Sequence, residues 1–158
     1  MGRELIVAWA GRHRRDDWDR LCGRYRERIS AHLPVRELAV RVLAKGEGRE
    51  RLEAEGRELV AALPDPCWIV ALTRQGRARS SPELAHWLGE LLDRWPHPIA
   101  FLVGSDLGLG RSALVAARER LSLGPGTLPH ELARLVLYEQ LYRSLSLKVG
   151  IKYHRLPL

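Results

Sequence analysis

Lysine is nearly missing from this chain: of 26 basic residues only Lys45, Lys148 and Lys152 are lysines, and the rest are arginines. Cysteine is as scarce, with Cys22 and Cys67 alone. Two isolated thiols exclude a disulfide-stapled scaffold and read as buried groups in a reducing compartment. No apolar run approaches the roughly 20 residues that a bilayer-spanning helix requires. Met1-Gly2-Arg3-Glu4 opens onto a short apolar run without the core and cleavage pattern of a secretory signal, so no signal peptide is expected. A Walker lysine motif is missing, and His13, His32, His86, His97, His130 and His154 are scattered without metal-ligand spacing, so no metal is expected. There is no repeat, low-complexity tract or dividing linker, so residues 1–158 are expected to form one domain with an ordinary core.

What is present is positive charge, +7 in all, with a pI near 10.1. Arginine offers a planar fork that grips phosphate bidentately and stacks on bases. The composition therefore favours a nucleic-acid partner, RNA in particular. It does not establish one, because a GC-rich genome also raises arginine over lysine.

The apolar pattern alternates between strand and helix. Leu5 to Trp9 reads as a strand ended by Gly11, and Asp16 to Ser30 as a helix with Trp18, Leu21, Cys22, Tyr25 and Ile29 on one face. Val35 to Leu43 reads as a second strand, Glu47 to Leu63 as a charged helix stopped by Pro64, and Cys67 to Leu72 as a strand buried on both faces. Ser81-Pro82-Glu83 opens a further helix, with Ser81 as its cap and Leu84, Trp87, Leu88, Leu91, Leu92 and Trp95 as its apolar face. Ile99 to Val103 is a buried strand, Arg111 to Arg120 a helix, Leu121 to Leu123 a short strand, and Pro129 to about Lys148 the last helix. Repeated strand–helix units of this length imply an α/β fold around a mainly parallel sheet.

Ligands of open α/β sheets bind beyond the carboxyl ends of the strands. Three such ends carry turn residues: Thr73-Arg74-Gln75-Gly76, Gly104 to Gly110, and Gly124-Pro125-Gly126-Thr127-Leu128-Pro129. Glycines there permit close backbone approach to a ligand. Gly108-Leu109-Gly110-Arg111-Ser112-Ala113 fits the dinucleotide fingerprint G-x-G-x-x-A, but it follows the fourth strand and lacks the acidic partner on a later one. The tail is the other anomaly. Gly150-Ile151-Lys152-Tyr153-His154-Arg155 sets an aromatic, a histidine and an arginine side by side where termini are normally bland.

The order Phe101-Leu102-Val103-Gly104, Leu121-Ser122-Leu123, Thr127-Leu128-Pro129-His130, Arg134, Glu139-x-Leu141-Tyr142-Arg143 and Gly150-x-x-Tyr153-His154-Arg155 resembles the RlmH (YbeA-type) family. These are SPOUT-class methyltransferases that modify a pseudouridine of 23S rRNA. The resemblance runs nearly end to end, with its specific motifs in the last 60 residues. The chain departs from the family pattern at Ser105, where a second glycine is usual, and at Leu107, where an acid is expected and Asp106 lies one place early. It departs again in Gly124-Pro125-Gly126, and at Lys152, which replaces a proline.

The resemblance implies a SPOUT-type parallel sheet with helices on both faces and a C-terminal trefoil knot, a shape that general topology rules disfavour. It implies S-adenosyl-L-methionine as cofactor, bound at Leu72, Gly104 and Ser105 and along Ser122, Leu123, Gly124, Pro125, Gly126, Thr127, Leu128 and Pro129. It implies transfer of the methyl group to N3 of the pseudouridine, in the assembled ribosome, by a cytoplasmic homodimer without metal or membrane. Tyr153, His154, Arg155 and Arg143 are the expected catalytic group: His154 as proton acceptor, the arginines holding phosphate or offsetting charge, and Tyr153 orienting the base. The stripe Leu137, Leu141 and Leu145 is an expected dimer surface that core packing would explain equally well. A non-catalytic ribosome-binding factor and a SPOUT enzyme acting elsewhere on RNA remain open alternatives.

Overall fold

A computed structural model describes residues 2–11, 16–41 and 48–155. Five strands form one parallel sheet in the order β2-β1-β4-β3-β5. They are β1 (Leu5–Ala10), β2 (Val35–Val40), β3 (Trp68–Ala78), β4 (Ile99–Val103) and β5 (Glu119–Ser122), linked by α1 (Asp17–Ser30), α2 (Arg49–Ala61), α3 (Ser81–Arg94) and α4 (Arg111–Ala116) and followed by α5 (His130–Val149).

The period of two along the central strands splits the core. Leu5, Val7 and Trp9 of β1 and Ile99, Phe101 and Val103 of β4 face the layer of α1, α3 and α5. Ile6, Ala8, Ala100 and Leu102 face the thinner layer of α2 and α4, where the alanines let those helices sit close. Both strands are buried on both faces, which explains their continuous apolar runs.

Several boundaries differ from the sequence reading. Ser80, not Ser81, caps α3, its Oγ accepting from the Glu83 amide at 3.2 Å. Such a cap contributes about 1 kcal/mol. α4 stops at Ala116 because the Arg118 amide donates to the Ile69 carbonyl at 2.8 Å, drawing the chain into β5 from Glu119 and leaving Leu123 beyond the strand. The segment Thr73 to Gly76, expected as a loop, lies inside β3 as a bulge: Leu121 of β5 is registered against both Leu72 and Arg77. Gly76 permits it, since a Cβ there would come within 2.7 Å of the Arg120 and Leu121 backbone. The expected ends of β2 at Leu43 and of α2 at Glu47, together with His13, lie outside the described residues.

One buried ionic cluster joins both sides of the α1–α5 layer. The Arg134 guanidinium, 3% exposed, donates to Glu37 of β2 at 3.1 Å and to Asp19 of α1 at 2.7 Å. It also lies 4.4 Å above the Trp9 ring. The Tyr138 hydroxyl donates to Glu37 at 2.8 Å, and burial beside that carboxylate pushes the phenol far above its ordinary pKa, so it remains a donor. Removing one member of a buried pair strands the other charge. Arg134→Ala should therefore cost about 3–5 kcal/mol. Arg134→Ala combined with Glu37→Ala should cost clearly less than the sum of the single changes. Urea unfolding of the three variants measures both quantities, and additive losses would show that the pair is not coupled.

Candidate functional site

The carboxyl ends of β3, β4 and β5 open on a cleft of about 430 Å³, within the range of small-molecule sites. Leu72, Gly104, Ser105, Leu123, Gly124, Gly126, Thr127 and Leu128 of the expected cofactor set line it. Pro125 and Pro129 flank the lining, Pro129 as the residue before α5. Ser122 is buried and shapes the turn, its Oγ accepting from the Gly124 amide at 3.1 Å and donating to the Gly124 carbonyl at 3.0 Å.

The β4 loop is tightly folded on itself. Ser105 and Gly108 exchange backbone hydrogen bonds of 3.2 and 2.9 Å, and Gly108 has φ of 92°, a conformation that favours glycine. A Cβ on Gly104 would lie 2.5 Å from the Gly108 backbone. α2 supports the loop from behind. Ser105 Oγ donates to Glu55 at 2.7 Å and accepts from the Leu107 amide at 3.2 Å. Arg51 donates to both Glu55 and Asp106, at 3.1 and 2.6 Å. Ser105 and Asp106, both at departures from the pattern of the family it resembles, thus fasten this loop to α2.

Among the lining side chains outside the expected cofactor set are Arg74, Gln75 and His130. Arg74 and Gln75 stand on the β3 bulge, and Arg74 donates to Thr127 across the cleft at 2.9 Å. His130, at the start of α5, stacks on Trp9 with ring centroids 6.5 Å apart and meets Glu131 at 3.1 Å. Their positions at strand and helix ends were the available signal; the bulge that turns Arg74 inward is a tertiary feature.

The expected catalytic group gathers elsewhere. After α5, Gly150 takes φ of 81° and turns the chain back, with the Ile151 amide donating to Ser146 at 2.9 Å. Tyr153 then packs edge-on against Tyr142 at 4.8 Å under the Arg143 guanidinium, also 4.8 Å away. Its hydroxyl donates to Glu139 at 3.2 Å and lies 3.3 Å from the Tyr25 hydroxyl. Burial and these partners push the Tyr153 phenol well above its ordinary pKa. Arg143 donates to Glu139 and, at 2.9 Å, to His154 Nδ1. A guanidinium only donates, so Nδ1 accepts and the neutral ring carries its proton on Nε2. That Nε2 is buried without a hydrogen-bond partner among the described residues. Arg155 is exposed.

Tyr153 and His154 are therefore half-buried, packed side chains. Arg143 lies about 20 Å along α5 from His130, at a rise of 1.5 Å per residue. The structure brings the cofactor set together and the tail set together, and separates the two sets. Leu137, Leu141 and Leu145 are core residues, 0–3% exposed, and offer no surface to a second subunit.

A glycine-lined cleft beyond parallel strand ends defines a class: an α/β protein built to hold a small ligand close to its backbone. The family model described as "Predicted SPOUT methyltransferase" matches residues 4–154, and the chain belongs to that family. A curated relative from Solidesulfovibrio magneticus, named Ribosomal RNA large subunit methyltransferase H, is 38% identical over 84% of this chain and 86% of its own. The protein of that name from Stenotrophomonas maltophilia (strain K279a) is 40% identical over 83% and 85%. Among solved structures, a probable methylase family protein from Haemophilus influenzae Rd KW20 shares the fold, with a TM-score of 0.52 at 13% identity, over 99% of this chain and 72% of that one.

Gly104→Val should weaken S-adenosylmethionine binding by at least a hundredfold, because the side chain collides with the Gly108 backbone and not with a flexible neighbour. Titration calorimetry checks this, with thermal melting to confirm that the sheet survives. Unchanged affinity would mean that this loop does not form the cofactor site.

Proposed function

We propose that residues 1–158 form one SPOUT domain that methylates N3 of a pseudouridine in the 23S rRNA of the assembled ribosome, in the cytoplasm, as a homodimer. The observation that carries this reading is the separation within one chain of a glycine-lined cleft from a Tyr153–His154–Arg143 cluster about 20 Å away along α5. A cofactor in the cleft of one subunit and a base held by the tail of the other would unite them. The reading includes the C-terminal knot expected of the family, which would be formed where the chain passes from edge strand β5 to α5.

The residues present fit S-adenosylmethionine. Gly124 and Gly126 have no atom within 4 Å of where a Cβ would stand, leaving room for a ligand to approach the backbone, and Leu72, Leu123 and Leu128 supply apolar wall. Bound there, the cofactor supplies an electrophilic methyl group on a sulfonium. The chain must orient N3 in line with that methyl and provide for its proton. Tyr153, kept protonated with its one hydroxyl proton given to Glu139 in a hydrogen bond, does not serve as the base catalyst and orients the base. His154 in its present hydrogen bond presents Nε2–H, so it accepts the N3 proton only after Arg143 leaves Nδ1. An RNA phosphate drawing Arg143 away would make that exchange, coupling substrate docking to the appearance of a base. Arg155, exposed beside them, offsets charge developing on the ring.

Complementation tests the divided site. Gly104→Val homodimers and His154→Ala homodimers should each methylate ribosomes at under one hundredth of the wild-type single-turnover rate. Mixed after unfolding and refolding together, they should recover about a quarter of it, because half the dimers are heterodimers and each holds one intact site of two. No recovery, with dimers present by light scattering, would place the whole site within one subunit.

A further inference from the structure

The end of the sheet opposite the cleft carries a second concentration of aromatic and cationic side chains that the methyl-transfer site does not use. Trp68 opens β3 and Trp95 follows α3, and their rings meet edge-on at 5.4 Å. Both indoles are fixed by their N–H groups: Trp68 donates to Glu119 at 3.0 Å and Trp95 to the Pro98 carbonyl at 3.0 Å. On this platform lie two guanidinia. Arg118 is 4.7 Å from the Trp68 centroid and 5.2 Å from that of Trp95, and Arg94 is 5.0 Å from Trp68. Measured to one ring, the two guanidinium carbons stand within about 10 Å of each other.

Their situation differs from that of the arginines held by acids. Arg26, Arg36, Arg51, Arg134 and Arg143 each pair with a carboxylate. Arg94 and Arg118 are exposed and make no ion pair with a carboxylate among the described residues. The nearest acids are committed: Glu119 accepts from the indoles of Trp68 and Trp87, and Asp93 pairs with Lys148. A guanidinium whose face rests on an indole keeps its N–H edge free, and the stack reduces the side-chain freedom lost on binding. That edge matches phosphate oxygens bidentately.

We propose that Arg94 and Arg118, held on Trp68 and Trp95, form a second RNA-docking surface that grips backbone phosphates of the rRNA at a distance from the reacting base. The inference rests on the rRNA substrate proposed above. A small enzyme acting on one nucleotide of a very large RNA gains register from contacts that carry no base information. This surface supplies them from the amino-terminal edge of the sheet, so it orients the subunit without crowding the cleft.

The test uses the double variant Arg94→Gln with Arg118→Gln, bound to intact ribosomes and to naked 23S rRNA across a salt series. Affinity for both should fall at least tenfold, and the salt slope should shrink by about 1.4, since each phosphate contact contributes about 0.7 on single-stranded RNA. Calorimetric affinity for S-adenosylmethionine, the dimer, and the single-turnover rate at saturating ribosomes should stay within twofold of wild type. Arg94→Lys with Arg118→Lys should keep most of the salt slope, and it serves as the readout if the glutamine variant melts early. Unchanged RNA affinity in a folded variant overturns the proposal. So does a loss confined to ribosomes with naked RNA unaffected, which would point to an acidic ribosomal protein, or a loss that accompanies dissociation to monomers. Wild-type protein that binds no rRNA would refute the substrate reading instead, which keeps the two failures apart.

Discussion

The position of α5 decides what this protein can do, and the buried pair between Arg134 and Glu37 fixes that position. Arg134 sits in the second turn of α5 and binds β2 and α1 at once, while its face covers Trp9 at the end of β1. Nothing apolar could set the rotation and height of the helix so specifically, because each hydrogen bond has a length and a direction. One turn away, His130 rests on Trp9 at the mouth of the cleft. Two turns further on, Glu139 and Arg143 receive the returning tail. The mouth of the cleft and the tail cluster, the two halves of the proposed site, are therefore carried by one helix that this charge pair holds in the core.

The departures of the β4 loop from its family pattern make sense in that frame. A serine at position 105 costs a glycine but gains a hydrogen bond to Glu55, whose side chain is 8% exposed and already engaged by Arg51. Asp106 takes the other arm of Arg51. A loop that a second glycine would leave free is here fastened to α2, lowering the entropy it must lose when a ligand arrives. The changes read as a different way of holding the same turn, and they give no support to a degraded cofactor site.

Much of this was legible in the sequence, for identifiable reasons. Strands buried on both faces announce themselves as apolar runs, and β1 and β4 stood where Leu5 and Ile99 begin such runs; the run from Cys67 to Leu72 marked β3 as well, but that strand begins at Trp68 and, contrary to expectation, buries only Val70 and Ala71 completely. Helices with one apolar stripe were equally plain. Boundaries set by tertiary contacts were not: α4 ends early because Ile69 captures the Arg118 amide, and β3 continues through Thr73 to Gly76 because β5 approaches its bulge. The packing of the tail was not legible: Tyr25 and Tyr142, distant in sequence, form a platform for Tyr153 that local pattern cannot reveal. The leucine stripe of α5 was ambiguous for the same reason, since periodicity marks a buried face without naming what buries it.

A straight helix of 20 residues is about 30 Å long, and it does not bend to bring its ends together. The tail returns by one turn at Gly150 and stops against Glu139, held there by Arg143 and by two tyrosines. Extending it to the cleft of its own subunit would break those contacts and expose the ring of Tyr153. Leaving it in place and bringing a second cleft to it breaks nothing. The geometry thus favours a reaction centre assembled between copies over one assembled by tail movement. Under the proposed dimer, Tyr153 and His154 can be packed and functional at once: α1 and α5 hold them in place, and the second cleft is brought by the other copy.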